Sequence, residues 1–311
     1  MDGIPPPLTR DANRFSPVFV LATARSYSSV VATMVGRHPQ LAGLPELKLF
    51  CHATIGELEA SLPQYWKDRG LTHRSPGLLR ALAELEFGGQ TAERLSAARA
   101  WLRDRPDWPG AAILDVLLEH LSPRTAVEKS PDNVLTGIGL ERMAAAYPRA
   151  RYLHLTRHPV ATQRSIEQHR RRLVPEDPQA REPMAGIAAW YDIHRRILIF
   201  TGGLPPDRCL RVRAEDVLND PRPQLAAIAA WLGIRTDAGA IEAMLHPEAS
   251  PFANPGPPEI GASGGNDPGF LRDPIPRRVD VPAGLEPPSG WVADPSIWEM
   301  VAGLANDLGY S

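Results

Sequence analysis

Cysteine is nearly absent from this chain. Only Cys51 and Cys209 occur in 311 residues, which excludes a disulfide framework and a cysteine-rich metal site and suits a reducing cytosol. No apolar run reaches the length that a membrane span requires. The first residues, MDGIPPPLTRDANRF, lack the basic start and apolar run of a signal peptide. A cytoplasmic location is therefore expected. A surplus of positive charge is also missing. The net charge is -2, so nothing draws the surface generally toward nucleic acid or membranes. No segment has the ligand spacing of a zinc or calcium site, and no metal is expected. The phosphate loop G-x-x-x-x-G-K-[ST] is missing as well, which counts against an ATP-using kinase of that type.

Apolar residues make up 43% of the chain, ample for one large core or a core with a smaller cap. Val18 to Leu21 is a short continuous apolar run, the pattern of a strand buried on both faces. Ser28 to Arg37 carries Val30, Val31, Met34 and Val35 at helical spacing. Residues 54 to 122 are rich in Ala, Leu, Glu and Arg and read as several helices. Strands follow at Thr125–Val127, Tyr152–Thr156 and Cys209–Val212. Helices are expected at Gly139–Tyr147, Val160–Arg172, Met184–Phe200 and Pro223–Leu232. Gly202, Gly203 and Gly233 stand where helices end. Strands alternating with helices predict parallel βαβ units in a three-layer α/β domain. Proline and glycine crowd 247 to 289, which reads as a long irregular loop of the lid or binding type.

Two turns carry the chemistry. The first is Thr23-Ala24-Arg25-Ser26-Tyr27-Ser28-Ser29, between a strand and a helix. A helix N-terminus offers free N–H groups and a positive dipole, hence phosphate affinity. Arg25 adds charge, and Ser28 and Ser29 add hydroxyls; Ser28 would serve equally as a simple N-cap. The second turn is Thr156-Arg157-His158-Pro159, with Ser165 eight residues after Arg157. Arg157 can grip phosphate in bidentate fashion or pair with a surface carboxylate. Both turns fall at the carboxyl ends of strands, where open parallel sheets bind ligands. Together they suggest an enzyme holding a doubly phosphorylated nucleotide.

On these residues the sequence resembles the sulfotransferases that use 3'-phosphoadenosine-5'-phosphosulfate, in their bacterial and tyrosylprotein-type branch. ATARSYSSVVATMVGRHPQLAGLPE is similar to the family's 5'-phosphosulfate loop, commonly written PRSGTT, with its helix and H-P. YPRARYLHLTRHPVATQRSI is similar to its 3'-phosphate motif. VEKSPDN resembles its K-x-P segment, and RVRAEDVLNDPRPQLAAIAAWLGI its Y-E-D-L stretch with the helix that follows. GGNDPGFL looks like a nucleotide-closing loop. The five segments come in family order between about 17 and 271. Two departures stand in the first loop: Ala24 replaces the usual Pro, and Tyr27 the usual Gly. A tyrosine where positive φ is required would be strained, so a variant loop or a degenerate site is the alternative.

The resemblance implies a P-loop-like parallel sheet flanked by helices, with a helical insert at 54–122 and a lid region at 247–289 in one domain spanning 1–311. It implies that Thr23, Ala24, Arg25, Ser26, Tyr27, Ser28 and Ser29 hold the phosphosulfate end of the donor. Arg157 and Ser165 would hold its 3'-phosphate, and Asn266 and Asp267 would close over the nucleotide. Lys129 would face the charge that develops at the sulfate, and Arg25 would assist. Glu46 stands where the branch places a catalytic carboxylate; His52, six residues on, is the rival base. The products would be a sulfated hydroxyl and adenosine 3',5'-bisphosphate, with a small-molecule or carrier-tethered acceptor and neither metal nor nucleic acid as partner. His154, alternating with apolar residues on a strand, reads as a core histidine. The run His169-Arg170-Arg171-Arg172 reads first as a helix end favoured by the dipole, and second as a guide for an anionic acceptor.

Overall fold

In the computed structural model, Val18–Leu21 forms strand β1, buried along its whole length. The structure describes residues 10–68, 73–173, 183–260, 264–288, 291 and 295–311. Strands β2 (Leu41–Gly43), β3 (Thr125–Glu128), β4 (Arg151–Thr156) and β5 (Cys209–Arg213) join β1. All pair in parallel, in the order β2-β3-β1-β4-β5. Val18 sits level with Val127 on one side and Arg151 on the other.

Side chains alternate across this sheet and divide the core in two. Phe19, Leu21, Ala126 and Tyr152 face one layer. That layer includes α4 (Pro76–Leu85), α5 (Ala92–Arg103), α6 (Gly110–Leu121) and α7 (Gly137–Ala146). Val18, Val20, Val127, Leu153 and Leu155 face the other. There they meet α1 (Ser28–Gly36), α10 (Ala214–Asn219), α11 (Pro221–Trp231) and α12 (Ala238–Met244). Burial on both faces is why the strands read as continuous apolar runs rather than alternating ones.

The stretch 54–122 is helical, as expected: α2 (Ile55–Ala60) and α3 (Gln64–Lys67) precede α4, α5 and α6. Thr54, Ser75 and Thr91 cap α2, α4 and α5 by accepting backbone N–H bonds. Helices α8 (Pro159–Leu173) and α9 (Pro183–Gly202) pack together after β4. Among the described residues, the C-terminal loop region holds only short 3-10 turns and α13 (Pro268–Arg272).

Strand β2 and helices α12 and α14 (Pro295–Asp307) have no counterpart in the sequence reading. β2 is three residues, too short for any period to register. It forms because it pairs with β3 and because Gly36 and Gly43 let α1 approach it. A Cβ on Gly36 would overlap the backbone of Gly43. In α14, Trp298, Val301 and Ala305 fall at helical spacing and, with Leu308 just after it, pack with Trp190; this signal is present in the sequence.

His154 is a core residue, as read, and contacts His194 of α9 through Nε2 and Nδ1 at 2.9 Å. Burial lowers the His194 imidazole from its ordinary 6.5 to about 3, and lowers His154 in the same direction. The folded state therefore binds fewer protons than the unfolded chain below pH 6.5. Stability from this group is complete above that pH and is lost as pH falls toward 3. Chemical denaturation of wild type and His194→Gln between pH 6.5 and 4 checks this. The variant is expected to lose less, the difference changing by about 1.4 kcal/mol per pH unit.

Candidate active site

The strand order reverses between β1 and β4, which are parallel neighbours. β1 sends its connection to β2 on one side, and β4 sends its own to β5 on the other. Such a point opens a crevice beyond the carboxyl ends of the strands. The turn Thr23–Tyr27 after β1 and the turn Arg157–His158 after β4 both stand there, on a cavity of about 1620 Å³. That exceeds the roughly 300–1,000 Å³ of a site for one ligand and suits two substrates side by side.

The first turn is sharply bent. Arg25 and Tyr27 both have left-handed backbone, with φ of 64° and 56°. Tyr27 occupies the N-cap of α1 and supplies no side-chain cap. Alternation into the left-handed region turns successive N–H groups into one concavity, a form that binds anions. The strain in a non-glycine residue there is roughly 1–2 kcal/mol. Tyr27 is held by the second turn: Arg157 Nη2 donates to the phenol oxygen at 2.9 Å, and the guanidinium lies 3.9 Å above the ring centre. Arg157 Nη1 also donates to the Arg25 carbonyl at 2.5 Å. Ser26 and Thr23 share a hydrogen bond beneath the turn.

Arg25 reaches the other predicted phosphate ligand, donating from Nε to Ser165 Oγ at 3.2 Å. Its guanidinium also pairs with the Asp267 carboxylate. Burial first, then Arg157 and Arg172, lower the Arg25 pKa; burial likewise lowers that of Arg157. Buried cations that destabilise each other are stabilised by an anion between them. Arg157 Nε is buried with no hydrogen-bond partner. These residues fit an anionic nucleotide.

Lys129, at the end of β3, is 1% exposed. Its Nζ donates to Ser29 Oγ at 2.9 Å and to Glu46 Oε1 at 2.6 Å. Glu46 and Lys129, predicted in separate roles, are thus in direct contact. The Glu46 carboxylate pairs with this lysine rather than with an arginine. Backbone N–H of Glu46 donates to the Gly265 carbonyl at 2.7 Å, and Asp267 N–H donates to Ser29 Oγ at 3.0 Å. The loop 264–267 thereby closes over the helix N-terminus and brings Asn266 and Asp267 to the cavity wall. Among the described residues, no group of His, Cys, Asp and Glu is arranged to hold a metal ion.

The sulfotransferase family profile matches residues 17–238. The chain belongs to this family. Its fold is similar to the sulfotransferase domain from the curacin biosynthetic pathway, with 22% identity, 96% of this chain and 99% of that one covered, and a TM-score of 0.76. It is also similar to the sulfotransferase domain from the Synechococcus PCC 7002 olefin synthase, with 28% identity, 97% and 98% covered, and a TM-score of 0.66. No curated protein sequence matches it.

In this sulfotransferase several sequence expectations need adjusting. His52, the rival base, does not line the cavity, whereas Glu46 does. Glu128, next to Lys129 in sequence, does not bond it and instead bonds Ser130, Asn133 Nδ2 and Leu47 N–H. Neighbours on a strand point to opposite faces. Burial raises its carboxyl to about 7. The basic run ends α8, as read, yet His169, Arg170, Arg171 and Arg172 also line the cavity. Arg171 pairs with Glu167 one turn earlier.

Four supporting residues have no site role in the sequence reading, among them Trp190, which reads as core and is buried. Glu215 in the RAED segment accepts from His158 N–H at 2.8 Å and from Tyr310 Oη at 3.1 Å, fixing the second turn. Trp190 Nε1 donates to the Arg157 carbonyl at 2.8 Å. Arg80, fully buried, donates to the carbonyls of Asn254 and Gly264 and pins the C-terminal loop. Gly77 touches the same loop: a Cβ there would lie under 3.0 Å from the Glu46 carbonyl oxygen, and one on Gly265 would strike Gly77. Only glycine at 77 permits this approach. Gly77→Ala is expected to lower sulfotransfer roughly 100-fold by displacing Glu46, at a stability cost of about 1–3 kcal/mol. Steady-state kinetics with denaturant unfolding checks both.

Proposed function

We propose that this sulfotransferase uses 3'-phosphoadenosine-5'-phosphosulfate as donor and a hydroxyl group as acceptor. The observation that carries this reading is the meeting of two cationic turns at one cavity. The uncapped N-terminus of α1 with Arg25, Ser28 and Ser29 suits the 5' end of the donor. Arg157 and Ser165 suit its 3'-phosphate, and Asn266 and Asp267 border the same space. When bound, the donor supplies a sulfuryl group for in-line displacement by the acceptor oxygen.

The chain's own residues then do three things. Arg25, Arg157 and the α1 N–H groups bind and orient the phosphates. Lys129 presents a buried ammonium beside Ser29, where donor charge increases during transfer, and buried donors act most strongly there. Glu46 lies within hydrogen-bonding reach of Lys129 and lines the cavity, the position a base needs to accept the hydroxyl proton. With a donor bound, Lys129 would hold charge at the transferring group, and the Glu46 carboxylate beside it would accept the hydroxyl proton. Positioning and charge stabilisation are the main catalytic resources in transfers of this kind.

The helices at 54–122 and the loop at 247–289 form the acceptor side. Leu62, Arg74 and Pro76 come from the first, and Phe270, Ile275 and Val281 from the second. The acceptor is a small molecule, sugar, lipid or acyl chain. Likeness to domains from a biosynthetic pathway and a synthase favours an acyl chain, free or carrier-tethered. No helix among the described residues is long and apolar enough to cross a membrane, and a cytoplasmic setting is part of this proposal. Tyr27 is the one feature that suggested a disabled site; its contacts with Arg157 give it a place in the phosphate-binding turn.

Calorimetry with adenosine 3',5'-bisphosphate tests the donor. Wild type is expected to bind at micromolar affinity and in preference to ATP, with Arg157→Ala weaker by roughly 10- to 100-fold, the loss of a charged hydrogen bond. A well-folded wild type that does not bind means that Tyr27 marks a disabled or repurposed site, and binding without sulfate transfer to any acceptor supports the inert nucleotide-binding reading instead. Glu46→Gln is expected to bind the bisphosphate as wild type does while losing roughly 100-fold or more in turnover. Wild-type turnover in that variant would remove Glu46 from the mechanism.

A further inference from the structure

We infer that the acceptor of this enzyme carries its own anionic group, a carboxylate or a phosphate, held by Arg74 and Lys48 close to the hydroxyl that is sulfated. This rests on the sulfotransfer reading above and adds the chemical class of the acceptor.

The inference starts from the backbone at Lys48. Its φ is 58°, the third non-glycine residue in the left-handed region, with Arg25 and Tyr27. A residue with a long side chain adopts this conformation only where its surroundings over-determine it, and such residues gather at functional sites. Two bonds hold it here. Lys48 N–H donates to Ser130 Oγ at 2.9 Å, and Cys51 Sγ donates to the Lys48 carbonyl at 3.2 Å. The turn brings Lys48 to the cavity wall two residues after Glu46, while Leu47 between them is buried in the core.

Lys48 Nζ lies 3.4 Å from Asp132 Oδ2, and Arg74 Nη2 donates to Asp132 Oδ1 at 2.8 Å. Burial pushes the Asp132 carboxyl up, but Lys48 and Arg74 more than offset this and hold it below its usual range. Two cations therefore share one carboxylate, and the cluster keeps one positive charge in excess. Arg74 Nε is buried and has no hydrogen-bond partner. All three side chains line the cavity.

The cluster is tied to the candidate base on both sides. Ser75, next to Arg74, donates from Oγ to the Glu46 carbonyl at 2.9 Å. Contacts then run from Ser75 to Glu46, to Lys129, to Ser29 at the phosphate-binding helix. Lys48 and Arg74 thus share a cavity wall with Glu46. The Cα atoms of Glu46 and Lys48 are at most about 7 Å apart, and Glu46, Lys48 and Arg74 all line one cavity, so an anion on Lys48 and Arg74 places its own nearby hydroxyl on the Glu46 side of that cavity. A planar guanidinium on the cavity wall is suited to carboxylate or phosphate. A salt bridge made only for folding would not require a strained lysine on an open cavity wall.

The test uses three matched compounds: 3-hydroxyhexanoate, its uncharged methyl ester, and 3-hydroxybutyl phosphate. Their affinities are measured by ligand-observed NMR for the full chain, with and without saturating adenosine 3',5'-bisphosphate. Wild type, Arg74→Gln and Lys48→Met are compared. One or both anions are expected to bind wild type roughly 10- to 100-fold more tightly than the ester, the worth of a charged hydrogen bond. Each variant should erase most of that preference, and Arg74→Lys should restore part of it. Carboxylate and phosphate arms separate the two sources of the anion. No preference for either anion in wild type, including no binding of any compound, overturns the inference, as does a preference that survives both variants. Failure of wild type to bind the bisphosphate overturns the donor assignment separately, because the three compounds are also compared without it.

Discussion

A single buried ammonium organises the active site of this sulfotransferase. Lys129 is 1% exposed, and a charge so placed is tolerated only when fully paired. Its partners, Ser29 and Glu46, come from the phosphate-binding helix and from the loop after β2. Ser29 in turn accepts from Asp267 in the C-terminal loop. One cation at the end of β3 therefore aligns three segments far apart in sequence. Breaking its pairing would leave a buried charge uncompensated, so the site and the local fold share one constraint.

Around that centre the backbone is bent where the chemistry needs it. Arg25 and Tyr27 turn the N–H groups of the first loop inward, and Lys48 turns its side chain onto the cavity wall. Each of these three conformations costs about 1–2 kcal/mol outside glycine and is offset by neighbours. Tyr27 lies under the Arg157 guanidinium, while Ser130 holds the Lys48 N–H. The substitution of Tyr for Gly in the loop thus couples the two phosphate-binding turns. The tyrosine gains an aromatic contact with a cation, worth roughly 0.5–2 kcal/mol.

The C-terminal loop needs its own anchor because it has little regular structure. Arg80 supplies it with donors to Asn254 and Gly264, and burial lowers its guanidinium to about 10. A second close approach, between Gly77 and Gly265, locks the loop against α4. The helices before β3 thus position the loop that borders the cavity, although the two segments are far apart in sequence.

The parallel sheet, the two cationic turns and the residues Arg25, Lys129, Arg157 and Ser165 were legible from the sequence by itself. Continuous apolar runs and helix-start chemistry are local signals, and motif order added the family. Glu46 and Lys129 were named separately, but their contact was not. It joins residues 83 positions apart, and no local pattern encodes such a pairing. Strand β2 escaped for the same reason, since three residues become a strand only beside β3 and under α1. The left-handed backbone at Lys48 and the sharing of Asp132 with Arg74 were likewise decided by tertiary structure. Lysine carries no turn preference of its own, and only its neighbours in space over-determine that conformation. Sequence determined which groups are available at the ends of the strands; packing decided which of them meet and which line the cavity.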